Sequence, residues 1–337
     1  MRTGHGTPCR VAPVLVTLGQ MKGAQKWTRR SAIGGTLAAA ATASVAWRDS
    51  RAASGGGRTR LILLGTGGGP RPRKASSGSA QVIVVNDAAY VVDCGDGVAR
   101  QLAFAGVPLA SLKSIFITHH HSDHNADYGN LMLLAWTAGL RTRVDTYGPP
   151  PLDRMTRLFF ELNAYDIETR TKDEGRPPLQ PLVHAHEISQ GGVVMQDANV
   201  KVTAAVVNHP PVTPSLGYRF DTPDRSIVIS GDTTPVDSLI ALAKGADVLV
   251  HDAMFMPGID RLASRVPNAT SLRKSMLSHH TTAEDAGRVA REAGVKLLVL
   301  SHLVPPDDPE ITDQMWLDAA GTQFSGKIVV GRDLLEI

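Results

Sequence analysis

The stretch that decides the fold is Thr118-His119-His120-His121-Ser122-Asp123-His124, which directly follows the apolar run Ile115-Phe116-Ile117. The apolar run predicts a buried strand, so the polar side chains lie where that strand ends and the chain turns outward. His119 and His121 can enter one coordination sphere while Asp123 and His124 serve a second. Imidazole and carboxylate ligands without a nearby cysteine suit Zn²⁺, with iron or manganese as alternatives. A surface histidine run or a tag is disfavoured, because neither would follow a buried strand.

Three further polar residues each follow an apolar strand. His209 ends the alternating run 200–207, Asp232 follows the run 226–231, and His302 follows the run 297–301. Taken singly, each is more often a capping or hydrogen-bonding residue. Because active sites of layered α/β proteins lie at strand ends, the three residues together with the histidine stretch predict a site for two metal ions.

An ordered set of motifs resembles the metallo-β-lactamase superfamily, and within it the ribonuclease Z-like branch that also contains certain arylsulfatases. The resemblance covers nearly all of the chain beyond about residue 58 and rests, besides the residues above, on Leu64-Gly65-Thr66-Gly67, Asp93-Cys94-Gly95-Asp96-Gly97, Ser230-Gly231-Asp232-Thr233, His251-Asp252-Ala253 and His280-Thr281-Thr282. It implies an α/β fold, a four-layer αββα sandwich, in one domain over residues 54–337.

The resemblance also implies the ligand sets. One metal ion would be held by His119, His121 and His209, the other by Asp123, His124 and His302, with Asp232 as the bridging ligand. The cofactor expected is therefore two Zn²⁺ per chain. True β-lactamases of the superfamily usually lack the histidine found here at 124 and the aspartate at 232, so the resemblance is to the wider group of hydrolases.

The ligand set predicts a mechanism. Two divalent ions lower the pKa of a shared water from near 16 to roughly 7, which makes hydroxide available as a nucleophile that Asp123 could hold by a hydrogen bond. By resemblance His280 is the proton donor for the leaving group, oriented by Asp252 where ribonuclease Z enzymes carry a glutamate. Two alternatives stay open at this point. His279 could exchange roles with His280, or His280 could be a helix N-terminal residue without a catalytic role.

The first 53 residues predict where in the cell the protein is located. Arg29 and Arg30 precede an alanine-rich apolar run that ends near Ala46, as in a twin-arginine signal peptide, and Met21 is a possible true start. The run is shorter than the about 20 residues of a membrane span, so no stable membrane anchor is expected. The sequence thus predicts export of the folded protein by the twin-arginine machinery, to the periplasm or outside the cell. The alternative is a disordered basic tail on a cytosolic enzyme.

Charge argues against a nucleic-acid substrate. Residues 1–53 hold eight Lys/Arg and one acidic residue, so the remaining chain carries 27 basic and 31 acidic side chains and a net charge near −4. Proteins that bind nucleic acids usually have a basic surface, and this charge balance predicts that the present chain lacks one. The two cysteines, Cys9 and Cys94, lie on opposite sides of the predicted cleavage region, which excludes a disulfide within the mature protein.

Hydrophobic patterns predict alternating strands and helices. Strands are expected near 60–64, 80–85, 90–93, 114–117, 143–147, 193–196, 199–207, 216–220, 226–230, 247–251, 296–300 and 327–330, and helices near 97–105, 125–138, 235–244 and 282–293. Residues 149–186 fit the pattern least well. Their helical segment 152–165 is either a cap over the active site or an ordinary outer helix, and His184 and His186 are expected at the surface.

Three enzymatic functions fit the site. The first is hydrolysis of a small ester, a phosphodiester or an aryl sulfate, and the second is hydrolysis of a lactone or another carboxyl ester. The third, tRNA 3′ processing, is disfavoured because only 22 residues separate His209 from Asp232, where ribonuclease Z enzymes insert a long arm. A non-catalytic metal-binding module is disfavoured because structural zinc sites use four protein ligands. The sequence leaves the oligomeric state open.

Overall fold

The computed structural model describes residues 58–264 and 269–337. The predicted twin-arginine leader and the predicted alternative start at Met21 lie outside the described residues. No helix of the described ranges is long and apolar enough to cross a membrane.

The first sheet has six strands in chain order. Its strands are β1 (Arg60–Gly65), β2 (Ala80–Val85), β3 (Ala88–Val92), β4 (Leu112–Phe116), β5 (Val144–Gly148) and β6 (Val183–Glu187). The pairs β1–β2 and β2–β3 are antiparallel, whereas β3 to β6 run parallel. β2 and β3 are apolar almost throughout because both faces of this sheet are covered.

The second sheet has seven strands in the order β13-β12-β11-β10-β9-β8-β7. Its strands are β7 (Gly192–Gln196), β8 (Lys201–Val207), β9 (Ser215–Asp221), β10 (Ser226–Ile229), β11 (Val248–Met254), β12 (Leu297–Val304) and β13 (Lys327–Val330). It repeats the plan of the first sheet, since β7 to β10 pair antiparallel and β10 to β13 pair parallel.

Ten helices are described. They are α1 (Val98–Phe104), α2 (Ser122–Asn125), α3 (Tyr128–Thr137), α4 (Leu152–Leu162), α5 (Ala164–Asp173), α6 (Asp237–Ala243), α7 (Met256–Ser264), α8 (Ala269–His279), α9 (Ala283–Ala293) and α10 (Asp313–Gly321). The start of α9 matches its predicted capping pattern, because the Thr282 side chain accepts a hydrogen bond from the Asp285 N–H. Its alanine-rich face, with Ala286 and Ala290, is fully buried.

Three apolar layers hold the sheets and helices together. The central layer lies between the two sheets, where Phe116 stacks on Tyr147 at 5.0 Å and meets Tyr218 and Phe220 edge-on at 5.4 and 5.1 Å. A second layer joins the first sheet to α1 and α3, and a third joins the second sheet to α6, α9 and α10. The architecture is therefore the four-layer αββα sandwich expected from the resemblance.

Backbone hydrogen bonds join the two sheets at the edge where the candidate ligands lie. The Leu216 N–H on β9 donates to the Thr118 carbonyl at 2.9 Å, and the Gly68 N–H donates to the Leu303 carbonyl at 3.2 Å. Loops that leave different sheets are thus held in fixed positions relative to one another. This rigidity positions the site.

The structure differs from the predicted elements at a few points. The helix expected near 125–138 is divided into α2 and α3, because Asp127 accepts a hydrogen bond from the Gly97 N–H and donates its own N–H to the Cys94 carbonyl. The edge strand β6 was not predicted, and it carries His184 and His186, which are half-buried and not fully at the surface. The sequence analysis also missed α5, α7, α8 and α10.

Residues 149–186 form an outer helix pair followed by β6. α4 packs against α3, where the Phe159 ring fills the space beside Gly129 and the Tyr128 hydroxyl contacts the Thr156 hydroxyl at 2.7 Å. At the start of this segment the Pro149 carbonyl accepts a hydrogen bond at 2.7 Å from His120, the residue between His119 and His121 in the sequence. The structure therefore packs α4 against α3 and β6.

Candidate metal centre

Three imidazoles converge at one side of the site. The His121 Nδ1 atom lies 3.1 Å from His119 Nε2 and 3.1 Å from His209 Nε2. His119 and His121 follow β4 of the first sheet, and His209 follows β8 of the second. Their nitrogens, with a carboxylate oxygen of Asp232, all lie within 4.8 Å of one another and could hold one metal ion.

A second cluster lies beside the first. Asp123 Oδ2 is 3.2 Å from His302 Nε2 and 3.7 Å from His124 Nε2. These three groups are buried and could hold a second ion. Asp123 and His124 come from the short helix α2, whereas His302 lies on β12 of the other sheet.

Asp232 lies between the two clusters. Its Oδ2 atom is 3.8 Å from His119 Nε2 in the first cluster, and 3.3 and 3.2 Å from His124 Nε2 and His302 Nε2 in the second. The turn that presents Asp232 contains Gly231 with φ of 61°, a left-handed conformation that disfavours side chains other than glycine. One carboxylate oxygen thus faces ligand atoms of both clusters.

The chemistry of these groups fits bound transition-metal ions. The outward nitrogens of three of the histidines are hydrogen-bonded: His119 Nδ1 to the Thr118 hydroxyl, His124 Nδ1 to Asp93, and His209 Nδ1 to the His279 carbonyl. Such bonds fix the tautomer that leaves Nε2 free to bind a metal. His124 Nε2 and Asp232 Oδ1 are buried and have no hydrogen-bond partner among the described residues. Buried polar atoms without partners mark a place for an ion or a water.

Electrostatics of the site favour cations. Burial lowers the pKa of His119 well below its ordinary value and the pKa of His209 to about 4, so both rings are neutral, as metal ligands must be. Burial raises the pKa of Asp232, but His124 and His302 outweigh this effect and hold that pKa well below its ordinary value. Burial lowers the pKa of His124, yet Asp232 and Asp93 outweigh it and raise that pKa. The negative charges of Asp232 and Asp93, which raise the pKa of His124, also attract a metal ion.

Asp93 is a functional residue to which the sequence analysis assigned no role. Its Oδ1 accepts the Thr118 N–H at 2.8 Å, and its Oδ2 accepts the Thr118 hydroxyl at 2.9 Å and His124 Nδ1 at 2.7 Å. Because the Thr118 hydroxyl in turn accepts from His119, one carboxylate orients a histidine of each cluster. Asp93 follows the apolar strand β3, so the strand-end rule that identified the other residues could have found it.

The predicted proton donor and its partner also meet. His280 Nδ1 lies 3.2 Å from Asp252 Oδ2, which leaves Nε2 as the ring atom that can release a proton. Burial lowers the pKa of His280, but the hydrogen bond to Asp252 and the charge of Asp232 outweigh it and raise that pKa. Asp252 stands where ribonuclease Z enzymes carry the longer glutamate. Its side chain is held in place by His251, whose Nδ1 lies 3.0 Å from Asp252 Oδ1.

The neighbouring histidines have other contacts. His279 contributes its backbone carbonyl to His209, and its ring contacts the Ser275 hydroxyl at 3.5 Å, so the geometry favours His280 over His279 as the partner of Asp252. His120 is turned away toward the Pro149 carbonyl and Asn125. His186 Nε2 is paired with Asp145 at 2.7 Å on the edge strand. Neither of the two clusters described above includes His120, His184 or His186.

Comparison with known proteins gives the same family. The family model described as "Beta-lactamase superfamily domain" matches residues 89–303. The chain is 33% identical to the ribonuclease Z of Mycobacterium bovis over 277 residues, which cover 81% of this chain and 96% of that protein. It is 34% identical to the ribonuclease Z of Mycobacterium sp. (strain KMS) over 276 residues, covering 81% of this chain and 94% of that protein.

Solved structures share the fold. The metallo-β-lactamase fold protein YhfI from Bacillus subtilis superposes with a TM-score of 0.59 at 22% identity, covering 83% of this chain and 98% of that one. The short form of human tRNase Z superposes with a TM-score of 0.59 at 21% identity, covering 82% of this chain and 98% of that one. With the family match and the two His/Asp clusters, the chain belongs to the metallo-β-lactamase superfamily, in its ribonuclease Z-like branch, and is a metal-dependent hydrolase of that fold.

Proposed function

We propose that this protein hydrolyses small phosphodiesters at a centre of two zinc ions. One observation carries the proposal: a single oxygen, Asp232 Oδ2, lies 3.2 to 3.8 Å from ligand nitrogens of both clusters. His119, His121 and His209 would hold one ion and Asp123, His124 and His302 the other, with Asp232 as a ligand to both. The relatives named ribonuclease Z support the phosphodiester, since a ribonuclease breaks phosphodiester bonds.

Residues of this chain prepare both ends of the reaction. Zinc ions bound there supply a water of lowered pKa and polarise the phosphoryl oxygens. Asp123 is held by the Gly69 N–H at 2.8 Å, and its carboxylate would accept a hydrogen bond from the attacking water. As the bond between phosphorus and the leaving oxygen breaks, His280 gives its proton to that oxygen. Asp252 holds the donor ring in position.

The second candidate function is cleavage of tRNA precursors. The alignment to the Mycobacterium bovis ribonuclease Z spans 277 residues and takes in 81% of the 337-residue chain and 96% of that protein. Those figures leave room for only a few inserted residues. The short sequence separation between His209 and Asp232 therefore does not distinguish this chain from relatives that bear the name ribonuclease Z. The absence of a long arm between these residues no longer disfavours tRNA cleavage.

The predicted leader supports the small substrate. Twin arginines at Arg29 and Arg30 before an apolar run direct a folded protein out of the cytoplasm, and an exported enzyme does not meet tRNA precursors. The net charge near −4 of the rest of the chain also disfavours a large polyanion. An exported hydrolase of small anionic esters is consistent with both features.

The experiment is a rate comparison on one preparation. Zinc-loaded protein is assayed with bis(p-nitrophenyl) phosphate, p-nitrophenyl phosphate, p-nitrophenyl sulfate, a lactone, and a tRNA precursor with a 3′ trailer. We expect the diester to be cleaved with the highest kcat/KM among the small substrates, and Asp123→Asn to abolish that activity. Faster turnover of the sulfate or the lactone would overturn the phosphodiester proposal, and efficient trimming of the precursor would favour the second candidate.

A further inference from the structure

A small cavity lies behind the metal centre, between the two sheets. It has a volume of about 10 Å³ and is lined by Gln81 of β2 with the preceding Ser79, by Asp252 of β11, by Ser301 of β12 and by Asp232. Seven buried side-chain polar atoms of the described residues have no hydrogen-bond partner, and six of them belong to residues that line this cavity. Such a concentration in one place calls for a common explanation.

After the imidazole nitrogens of His124, His251 and His302 are set aside, three side-chain oxygens that line the same cavity remain. They are Asp232 Oδ1, Gln81 Oε1 and Ser301 Oγ. Gln81 alternates along β2 with Ile83, and Ser301 alternates along β12 with Val299, and both apolar residues belong to the layer between the sheets. Because alternate residues of a strand share a face, Gln81 and Ser301 point into the same inter-sheet space.

Leaving these atoms without partners is costly. A buried donor or acceptor without a partner costs about 1–3 kcal/mol, and an ionised carboxylate oxygen costs more. Gln81 and Ser301 are each only 2% exposed, as is Asp232, so bulk solvent does not reach them. Since Asp232 Oδ2 already faces the ligand nitrogens, its Oδ1 atom needs a separate donor on the side away from the metals.

We propose that one water molecule is bound in this cavity and joins Gln81 and Ser301 to the bridging carboxylate. Its two hydrogens donate to Asp232 Oδ1 and Gln81 Oε1, and its oxygen accepts the Ser301 hydroxyl. Buried waters make about three such bonds, and a cavity of about 10–15 Å³ is the smallest that holds one. The donors and acceptors of the three side chains are matched by a single water.

The bound water gives Gln81 and Ser301 a function. A carboxylate fixed at Oδ1 cannot rotate, so Oδ2 stays directed at both metal clusters. Gln81 and Ser301 are therefore positioning residues for metal binding that act through the water and Asp232. This inference rests on the proposed role of Asp232 as the bridging ligand, but it does not depend on which substrate the enzyme uses.

The test combines a structure with metal affinities. A high-resolution crystal structure of the zinc-bound protein is expected to show one water within hydrogen-bond distance of Asp232, Gln81 and Ser301. Competition with a chelator then gives the zinc affinity of Gln81→Met and Ser301→Ala, each of which is expected to lose about 10- to 100-fold, the usual effect of removing a partner behind a ligand. Gln101→Met and Ser114→Ala, which alter buried residues away from the cavity, are the matched controls and should retain wild-type affinity.

Two results would overturn the inference. One is a cavity without water in the zinc-bound crystal structure, which remains decisive even if a variant fails to fold. The other is wild-type zinc affinity in both folded variants. Neither measurement uses a substrate, so failure of the phosphodiester assay leaves this inference standing, and its own failure leaves the proposed substrate untouched.

Discussion

Asp93→Asn is the substitution that probes the organisation of the centre most sharply. The carboxylate accepts three hydrogen bonds, from the Thr118 N–H, from the Thr118 hydroxyl and from His124 Nδ1, at 2.7 to 2.9 Å. Asparagine has the same size but replaces one acceptor oxygen by a donor NH₂ group. Whichever way the amide is placed, at least one donor then faces another donor in a buried space.

The size of the effect follows from the ligands that depend on Asp93. If the amide NH₂ faces His124, that ring must turn or move its proton to Nε2, and either change removes the lone pair that binds the metal. His119 depends on the same carboxylate through the Thr118 hydroxyl, which lies 3.0 Å from its Nδ1. Loss of such an outer partner costs about 10- to 100-fold in metal affinity. This corresponds to about 1.4–2.8 kcal/mol, and it is expected for both ions.

The assay is equilibrium competition for zinc between the protein and a chelator of known affinity. Asp197→Asn is the matched control, because Asp197 also accepts three hydrogen bonds, from the Tyr90 hydroxyl and from the Asn199 and Val200 N–H groups, none of which belongs to the centre. The control should lose stability but bind zinc as the wild type does. A folded Asp93→Asn protein that binds both ions within twofold of wild-type affinity would refute the reasoning.

Two further predictions concern the metal centre, and a third concerns the predicted leader. Asp232→Ala should lose at least one of two zinc ions, as measured by elemental analysis, and full occupancy would contradict the bridging role. The His280→Ala variant should keep its zinc but lose about 10²- to 10⁴-fold in kcat, and the loss should be smaller for substrates with nitrophenol leaving groups. A full rate on a substrate with a poor leaving group would show that another residue donates the proton. The His279→Ala variant is the control. Replacing Arg29 and Arg30 by lysine should retain the protein in the cytoplasm, and cell fractionation showing normal export would rule out the leader.

Much of the fold was predictable because its strands are strongly patterned. Mostly apolar runs such as Ala80–Val85 and Val248–Met254 are buried on both faces and leave little ambiguity. β6 was missed because histidines alternate with apolar residues in a short edge strand, where burial is partial. α8 was missed for a similar reason, since its residues do not form a clear apolar stripe and its last turn carries His279 instead of core residues.

The candidate ligands were predictable from strand ends, but the hydrogen bonds from distant residues that hold them were not. His209, Asp232 and His302 each follow an apolar run, and this local signal needs no knowledge of distant contacts. The hydrogen bond from the Gly69 N–H to Asp123 joins residues 54 positions apart, and it is visible only once the chain is folded. The same holds for Gln81 and Ser301, which come from different sheets and face one cavity.

The central claim is a centre of two metal ions bridged by Asp232, and anomalous X-ray diffraction at the zinc edge tests it most directly. Crystals of the zinc-loaded protein should show two peaks per chain, one among His119, His121 and His209 and one among Asp123, His124 and His302, both in contact with Asp232. A single peak, or two peaks of which only one contacts Asp232, would contradict the account.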